Sequence, residues 1–275
     1  MAAEKLNKLR GILADMGSVL IAFSGGVDSS FLLAVAVEVL NEWAVAATAH
    51  SVLYSGWELE QAATIAEQLG ARHITFEVDH LALAGFAGNP PDRCYLCKRA
   101  LFAQMQQIAQ REKLAWVAHA EQIDDLGQWR PGQRAAEELG VRAPLIEAGL
   151  DKAEVRELSR KLGLPTWNLP VNACLATRIP YGEAITGEKL RQVAAAEEAL
   201  RELGFQQLRV RHHGPLARVE VAPAQLSRLT QQPVRKQVVA ALQEVGFAYV
   251  TVDLAGYRSG SMDEVIAASG EDSEE

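Results

Sequence analysis

Short apolar runs alternate with amphipathic stretches through the first 170 residues. Four of the runs have the length of buried strands: 19–23, 44–50, 72–78 and 114–119. The chain begins with an amphipathic helical pattern. Apolar residues recur at helical spacing in 29–40, 57–69, 95–112, 133–139 and 151–162. Strands that alternate with helices of this length predict right-handed βαβ units, and so an α/β fold with a Rossmann-like parallel sheet. Such sheets bind their ligands at the carboxyl ends of the strands.

The alternation ends at the proline-containing stretch 164–186, which is long for a loop without structure. The pattern then predicts a helix at 187–203, strands at 206–213 and 216–221 joined as a hairpin, a helix at 223–245 and a strand at 247–253. We therefore predict three parts. An α/β domain covers 1–170, a cysteine-bearing junction covers 171–186, and an α+β domain for substrate binding or oligomerisation covers 187–275.

Net charge, hydropathy and cysteine content argue against several classes of function. The 275 residues carry a formal net charge of −8 and end in an acidic tail, which argues against a dedicated nucleic-acid binder. No apolar run reaches the length of a membrane span, and the start lacks the features of a signal peptide. Three cysteines without an export signal predict a reducing, cytoplasmic location. Neither a membrane nor a nucleic acid is expected as a partner.

A glycine-rich turn, AFSGGVDSS at 22–30, follows the first strand and opens a helix. Its two glycines allow a sharp turn that brings backbone N–H groups close to a ligand, and a helix N-terminus favours phosphate. Asp28 or Ser29 is predicted to cap the helix. No lysine follows the glycines, so the turn is not a Walker A loop. An ordinary glycine-rich turn before a capped helix remains the alternative.

The segment Ser24-Gly25-Gly26-Val27-Asp28-Ser29 resembles the SGGxDS signature of the PP-loop ATP pyrophosphatases. The resemblance implies that these six residues bind the pyrophosphate of ATP in an adenylating enzyme that uses ATP and Mg²⁺. Asp28 would orient the magnesium ion or a phosphate, because hard cations prefer carboxylate oxygens. Ser51, after the second strand, would contact the adenosine.

Four further stretches resemble the sulfur transferases of nickel-pincer nucleotide biosynthesis: 121–170, 173–182, 208–221 and 250–262. The likeness covers nearly the whole chain, with His119-Ala120 in place of an Asp-Gly-like pair. It implies that ATP activates a carboxylate of a pyridinium biscarboxylic acid mononucleotide and that sulfur then displaces AMP, leaving a thiocarboxylate. A sulfide donor, hand-over to a nickel insertase and a homo-oligomer are expected with it.

Charged residues outside the glycine-rich turn supply further candidates. Asp124, Asp125 and Arg130 follow the fourth strand and would lie beside the nucleotide, although an Asp-capped turn would use the same aspartates. Arg209 and Arg211 alternate on one strand face beside Arg218 of the next strand, an arrangement suited to a nucleotide phosphate. A solvated strand face is the alternative. The carboxylates of Glu197 and Glu220 are weaker candidates for metal or substrate contact.

The cysteines are Cys94 and Cys97, in a Cys-x-x-Cys pair, and Cys174. Three cysteines cannot close two disulfides or complete a four-thiolate zinc site. The family resemblance implies a [4Fe–4S] cluster on all three, whose fourth iron would hold an extra sulfide. Arg178, four residues after Cys174, would favour the thiolate or the developing charge. In the alternative version of the reaction, Cys174 sacrifices its own sulfur.

Two other functions remain open at the level of the sequence. A PP-loop tRNA thiolase would use the same ATP chemistry but should be basic, whereas this chain is acidic. A non-catalytic module that binds an adenine nucleotide would need neither the cysteines nor the arginines.

Overall fold

The computed structural model describes residues 2–126, 131–258 and 260–262. The chain forms two compact units. The first contains the residues up to Asp79 together with Asp92–Asn172, and the second contains His80–Pro91 and the residues from Ala173 onward. The sequence analysis left 80–91 within the first domain. The structure instead groups this segment with the second unit, because its backbone and side chains bond to residues 179–185.

The first unit is a parallel sheet with helices. Its strands are β1 (Val19–Ala22), β2 (Ala44–His50), β3 (Arg72–Glu77) and β4 (Trp116–Ala118). Its helices are α1 (Ala2–Met16), α2 (Val27–Leu40), α3 (Gly56–Gln68), α4 (Arg93–Arg111), α5 (Pro131–Glu138), α6 (Pro144–Ala148) and α7 (Lys152–Lys161). The strand order is β3-β2-β1-β4 with every pair parallel, which confirms the predicted α/β fold. Among the strands and α-helices of this unit that the structure describes, only the short helix α6 was not predicted.

Burial explains why these segments form strands. β1 and the first six residues of β2 are covered on both faces, so their sequences are continuous apolar runs rather than alternating ones. One core cluster includes Leu13, Phe31 and Val155, and a second includes Phe102 and Val117. The chain passes from β1 to β2 and β3 on one side and then crosses to β4 on the other. The turns after β1 and β4 therefore lie at the switch point where such sheets bind ligands.

The second unit is a small three-stranded sheet with helices. Its elements are α8 (Gly187–Glu202), β5 (Leu208–His213), β6 (Leu216–Val221), α9 (Leu226–Thr230), α10 (Val234–Glu244) and β7 (Tyr249–Val252). β5 and β6 form the predicted antiparallel hairpin, and β7 pairs with β6 in parallel. The helix predicted over 223–245 is divided into a 3₁₀ turn, α9 and α10. Proline cannot occupy a helix interior, and Pro233 lies between the two α-helices.

The helices of the described segments are all too short or too polar to cross a membrane.

Candidate functional site

Gly25, in the turn between β1 and α2, has the left-handed backbone that favours glycine, with a φ of +70°. A Cβ added here would also lie 3.0 Å from the Cα of Ala62 on α3. Both the backbone angle and the close helix therefore require glycine at this position.

Replacing Gly25 with alanine is expected to lower the free energy of unfolding of the first unit by about 2–5 kcal/mol, because backbone strain and a steric clash add. The matched control is Gly70→Ala, since Gly70 has a similar φ of +65° but open space where the Cβ would lie. The control should lose only about 1–2 kcal/mol. Urea unfolding of both variants makes the comparison, and equal losses would contradict the steric contribution.

The helix α2 begins without a side-chain cap. It starts at Val27, and its N-cap residue, Gly26, has no side chain that could accept a hydrogen bond from the first turn. The prediction that Asp28 or Ser29 caps α2 is wrong, because both residues lie inside its first turn. Backbone N–H groups at the start of α2 therefore lack side-chain caps, as in anion sites at helix N-termini.

Two hydroxyl groups brace the glycine-rich turn. The Oγ atoms of Ser24 and Ser29 are 3.1 Å apart, and the Gly26 amide donates to the Ser24 Oγ over 3.3 Å. Ser24 is exposed whereas Ser29 is buried. The serines therefore hold the shape of the turn while Ser24 stays accessible to a ligand.

A lysine distant in sequence reaches the start of α2. The Nζ atom of Lys152 lies 2.7 Å and 2.5 Å from the two carboxylate oxygens of Asp28. The Lys152 backbone N–H donates to Asp124 Oδ2 over 2.9 Å, so one residue joins the carboxylates that follow β1 and β4. The sequence analysis missed Lys152, which is separated from Asp28 by 124 positions. Its only local signal was the start of a helix.

The turn after β4 combines a structural and an accessible aspartate. Asp125 is buried, and its Oδ2 accepts the Gln122 N–H over 3.1 Å, which is the Asp-capped turn that the sequence left open. Asp124 is exposed. Arg130, predicted beside them, lies outside the described residues.

Two further residues lie where strands of the sheet end. His119 directly follows β4 and is buried against Phe102; burial, and then the charge of Lys98, lower its pKa to about 3. Its imidazole is therefore neutral at physiological pH. Ser51 follows β2, is buried and accepts the Leu53 N–H over 3.3 Å. Its predicted contact with adenosine stays a prediction.

Cys94 and Cys97 lie in the first two turns of α4, in the first unit. Residues three apart share a helix face, so the pair can present two thiols to one ligand. Gly132 of α5 lies close to Lys98 of α4, since a Cβ added to Gly132 would lie 3.0 Å from Lys98 Cγ. The helix α5 therefore packs against the start of α4. Cys174 belongs to the second unit and directly precedes the 3₁₀ turn Leu175–Arg178.

All three cysteines are half-buried. Within each unit, the residues that the structure describes form no group of three or more His, Cys, Asp or Glu side chains positioned for a metal ion. Iron–sulfur clusters take thiolate ligands, and a pair on one helix face supplies two of them. The thiol chemistry of the three cysteines therefore fits such a cluster, and iron ligation stays a prediction.

Arg178 fixes the backbone that carries Cys174. Its guanidinium pairs with Glu197 through two bonds of 2.8 and 3.1 Å, and both side chains are 1% exposed. The Nη1 atom donates to the carbonyls of Ala173 and Cys174 over 2.7 and 3.1 Å. The Thr177 hydroxyl also donates to the Cys174 carbonyl, over 2.8 Å. Arg178 thus positions the Cys174 backbone.

The predicted phosphate-binding arginines lie on the β5–β6 hairpin. Arg211 and Arg218 are directly opposite each other on the two strands. Arg211 is buried and pairs with Glu220 through bonds of 2.9 and 2.8 Å, while its Nη1 donates to the Thr177 carbonyl over 2.9 Å. Arg218, more exposed, lies 3.3 Å from Glu220. Much of the positive charge of Arg211 is therefore balanced inside the protein.

Arg209 is buried under the ring of Tyr257, whose centroid lies 5.0 Å from its guanidinium carbon. Burial, followed by the nearby charge of Arg178, lowers its pKa to about 10. Arg209 therefore stays charged at physiological pH.

Glu197 and Glu220, the weaker candidates for metal or substrate contact, both pair with arginines. Glu197 accepts bonds from Arg178, from Arg201 and from the Val210 N–H. Burial alone would raise the Glu197 pKa, but the charge and hydrogen bonds of Arg178 outweigh it and hold the pKa below its ordinary value. Both carboxylates thus balance buried arginines.

The change Glu197→Gln is expected to lower the free energy of unfolding by about 3–5 kcal/mol at pH 7, because it leaves Arg178 buried without its counter-ion. The wild type should also lose stability as the pH falls below 4.5, the ordinary pKa of the group. In that range the unfolded chain binds more protons than the folded one. Chemical unfolding at several pH values measures both effects.

The control for this change is Glu198→Gln, because Glu198 is half exposed and also pairs with Arg201. Its effect should stay below about 1 kcal/mol. The Glu197→Gln variant should show a smaller loss of stability in acid than the wild type. An unchanged acid dependence would contradict the assigned ion pair.

Comparison with known proteins agrees with this geometry. Residues 13–105 match the asparagine synthase family. The chain is 42% identical over 266 residues to an uncharacterised protein of Synechocystis sp., covering 97% of this chain and 99% of that protein. It is 37% identical over 265 residues to the pyridinium-3,5-bisthiocarboxylic acid mononucleotide synthase of Lactiplantibacillus plantarum, covering 96% and 95%. An argininosuccinate synthase of Methanothermobacter thermautotrophicus is 27% identical over 161 residues, which is 54% of this chain and 40% of that protein.

The parallel sheet agrees with these similarities, as does the N-terminus of α2, which lacks a side-chain cap. Together they define a PP-loop ATP pyrophosphatase, and so an ATP-dependent enzyme. Within that class, the chain belongs to the pyridinium-3,5-bisthiocarboxylic acid mononucleotide synthase family.

Proposed function

We propose that this enzyme converts the carboxylates of a pyridinium biscarboxylic acid mononucleotide into thiocarboxylates for a nickel-pincer cofactor. The relative of known activity, which matches this chain almost end to end, carries the proposal. The three cysteines support a version of the reaction in which a [4Fe–4S] cluster provides the sulfur.

The first step is adenylation at the start of α2. A substrate carboxylate oxygen attacks the α-phosphorus of ATP, pyrophosphate leaves, and an acyl-adenylate forms. The backbone N–H groups of the glycine-rich turn bind the departing phosphates, and Ser24 adds a hydroxyl. Asp28 and Asp124 would hold Mg²⁺, because carboxylate oxygens are the ligands that it prefers. Lys152 supplies positive charge beside them.

The second step transfers sulfur. A sulfur nucleophile attacks the activated carbonyl carbon, AMP leaves, and the thiocarboxylate remains. Cys94, Cys97 and Cys174 would hold the cluster. When bound, the cluster would supply the sulfur for transfer as sulfide. A sulfide donor must restore that sulfur after each turnover.

The second unit would bind the nucleotide part of the substrate. Arg218 is partly exposed on the β5–β6 hairpin, whereas Arg209 and Arg211 are buried. Guanidinium groups bind phosphate through paired hydrogen bonds, so Arg218 would contact the substrate phosphate, while the buried charges of Arg209 and Arg211 would add electrostatic attraction. We also propose a homo-oligomer that passes its product to a nickel insertase.

The deciding experiment is a single turnover of the anaerobically reconstituted protein with ATP and the pyridinium mononucleotide. We expect bound iron, AMP release coupled to thiocarboxylate formation, and an unchanged protein mass. Turnover without iron and with loss of one H₂S from the protein would favour sacrifice of Cys174. AMP release without any thiocarboxylate would contradict sulfur transfer, and absence of turnover with specific tRNA binding would favour a tRNA thiolase.

A further inference from the structure

The chain that follows β7 lies against the β5–β6 hairpin of the second unit. We name residues 256–258 and 260–262 the post-β7 stretch. The Tyr257 N–H donates to the Val221 carbonyl over 2.8 Å. Gly256 has a φ of +72°, and a Cβ added there would lie 2.8 Å from the Val221 carbonyl oxygen, so this close approach requires glycine. The post-β7 stretch is therefore held on β6 by its backbone.

Three side chains of the post-β7 stretch each contact one of the three arginines of the hairpin. The contacts are Tyr257 with Arg209, Ser261 with Arg211, and Met262 with Arg218. Ser261 and Met262 are buried. The post-β7 stretch is thus part of the arginine cluster, and the hydroxyl of Ser261 is the group in it that can both accept and donate a hydrogen bond.

The hydroxyl of Ser261 bridges Arg211 and Glu220. A guanidinium only donates, so Ser261 Oγ accepts the hydrogen bond from Arg211 Nη2, over 2.9 Å. The single hydroxyl proton then points to Glu220 Oε1, 3.2 Å away. Alanine at this position would deprive Arg211 of an acceptor and Glu220 of a donor.

One oxygen of Glu220 is shared by three donors. Glu220 Oε1 accepts from Arg211 Nε over 2.9 Å, from Arg218 Nη2 over 3.3 Å and from the Ser261 hydroxyl. A carboxylate oxygen has about two acceptor sites, so the three donors compete for it. Loss of the Ser261 hydroxyl would therefore let Arg218 pair more tightly with Glu220.

Arg218 is the arginine of the cluster that a phosphate can reach. Its side chain is 31% exposed, compared with 5% for Arg211. Its Nη1 atom lies 3.9 Å from Asp253 Oδ2, which is longer than a hydrogen bond. A guanidinium that its carboxylate neighbours hold weakly keeps N–H groups for a phosphate.

We propose that Ser261 is a positioning residue for the substrate phosphate. By occupying Glu220 Oε1, its hydroxyl keeps Arg218 from pairing closely with that carboxylate, so the Arg218 guanidinium stays available to the phosphate. This inference rests on the phosphate-binding role of Arg218 in the function proposed above.

The first measurement locates phosphate binding without the organic substrate. Phenylglyoxal modifies accessible arginines, and peptide mass spectrometry follows its reaction with Arg218 in the full-length protein as inorganic phosphate is added. We expect phosphate to protect Arg218 in the wild type. In Ser261→Ala, the phosphate concentration that gives half-protection should rise about tenfold, the factor that corresponds to one net hydrogen bond.

Three further variants serve as controls. Ser261→Thr keeps the hydroxyl and should match the wild type, whereas Ser261→Val has the shape of threonine without the hydroxyl and should resemble Ser261→Ala. This matched pair decides the question if the alanine variant does not fold, which circular dichroism checks. Thr230→Ala removes an exposed hydroxyl at the end of α9 and should leave the half-protection concentration unchanged.

The second measurement uses substrate-dependent pyrophosphate exchange. The KM of the pyridinium mononucleotide should rise about tenfold in Ser261→Ala while kcat stays unchanged, because only binding to the phosphate is weakened. The KM of the corresponding nucleoside, which lacks the phosphate, should not change. A lower kcat with both compounds would instead indicate a general structural defect and would overturn the positioning role.

The two measurements separate this inference from the proposed function. Absence of phosphate protection at Arg218 in the wild type would overturn the role of Ser261, as would equal half-protection concentrations in the wild type and in Ser261→Ala. If protection shifts as expected but the mononucleotide and its nucleoside have the same KM in the wild type, the proposed substrate is wrong. Ser261 would then still position Arg218 for a phosphate.

Discussion

Substrate-dependent ATP–pyrophosphate exchange is expected to fall by about a thousandfold when Asp28 is replaced with asparagine, because the change removes a carboxylate that we propose holds Mg²⁺. Asp28 lies in the first turn of α2, and its carboxylate pairs with Lys152. Asparagine keeps the shape of the side chain but binds Mg²⁺ weakly. Exchange of labelled pyrophosphate into ATP measures this step without sulfur transfer.

The control for Asp28→Asn is Glu38→Gln, which removes a carboxylate at the opposite end of α2. Glu38 pairs with Arg10 at the surface. Its loss should leave exchange unchanged. Because the side chains of Asp28 and Lys152 are a quarter exposed, Asp28→Asn should change the free energy of unfolding by less than about 1 kcal/mol. Full exchange activity in Asp28→Asn would refute the assigned magnesium role.

Thiocarboxylate formation is expected to fall more than about a hundredfold in Cys174→Ala, because either version of the reaction needs this thiol. In the cluster-dependent version Cys174 is an iron ligand, and in the sacrificial version it is the sulfur source. Pyrophosphate exchange should persist, since adenylation uses residues of the first unit. Mass spectrometry of the product and the exchange assay together separate the two steps.

The variant Cys94→Ala distinguishes the two versions. Loss of a cluster ligand should remove both bound iron and multiple turnovers, so that this variant resembles Cys174→Ala. If the Cys174 sulfur is consumed instead, Cys94→Ala should complete one turnover at the wild-type rate. The latter result would rule out the cluster as the sulfur source.

Much of the fold followed from local patterns. Continuous apolar runs are typical of parallel strands buried on both faces, so β1 and β2 were recognisable without any partner. Gly25 was recognisable as a turn residue, because it lies between an apolar run of strand length and a helical pattern. The division of the helix predicted over 223–245 was missed, although Pro233 carried the signal.

The sequence by itself therefore determined the parallel α/β sheet, the glycine-rich turn before α2 and the family, because each depends on residues close together in the chain. Only the tertiary structure decided which charges meet. Lys152 reaches Asp28 across 124 positions, and Arg178 and Arg211 pair with Glu197 and Glu220 inside the second unit. Such pairs form when packed elements bring distant side chains together and remove them from water, and no local pattern encodes that encounter. The hydrogen bond from Asn89 Nδ2 to the Ile179 carbonyl has the same origin, since 90 positions separate the two residues.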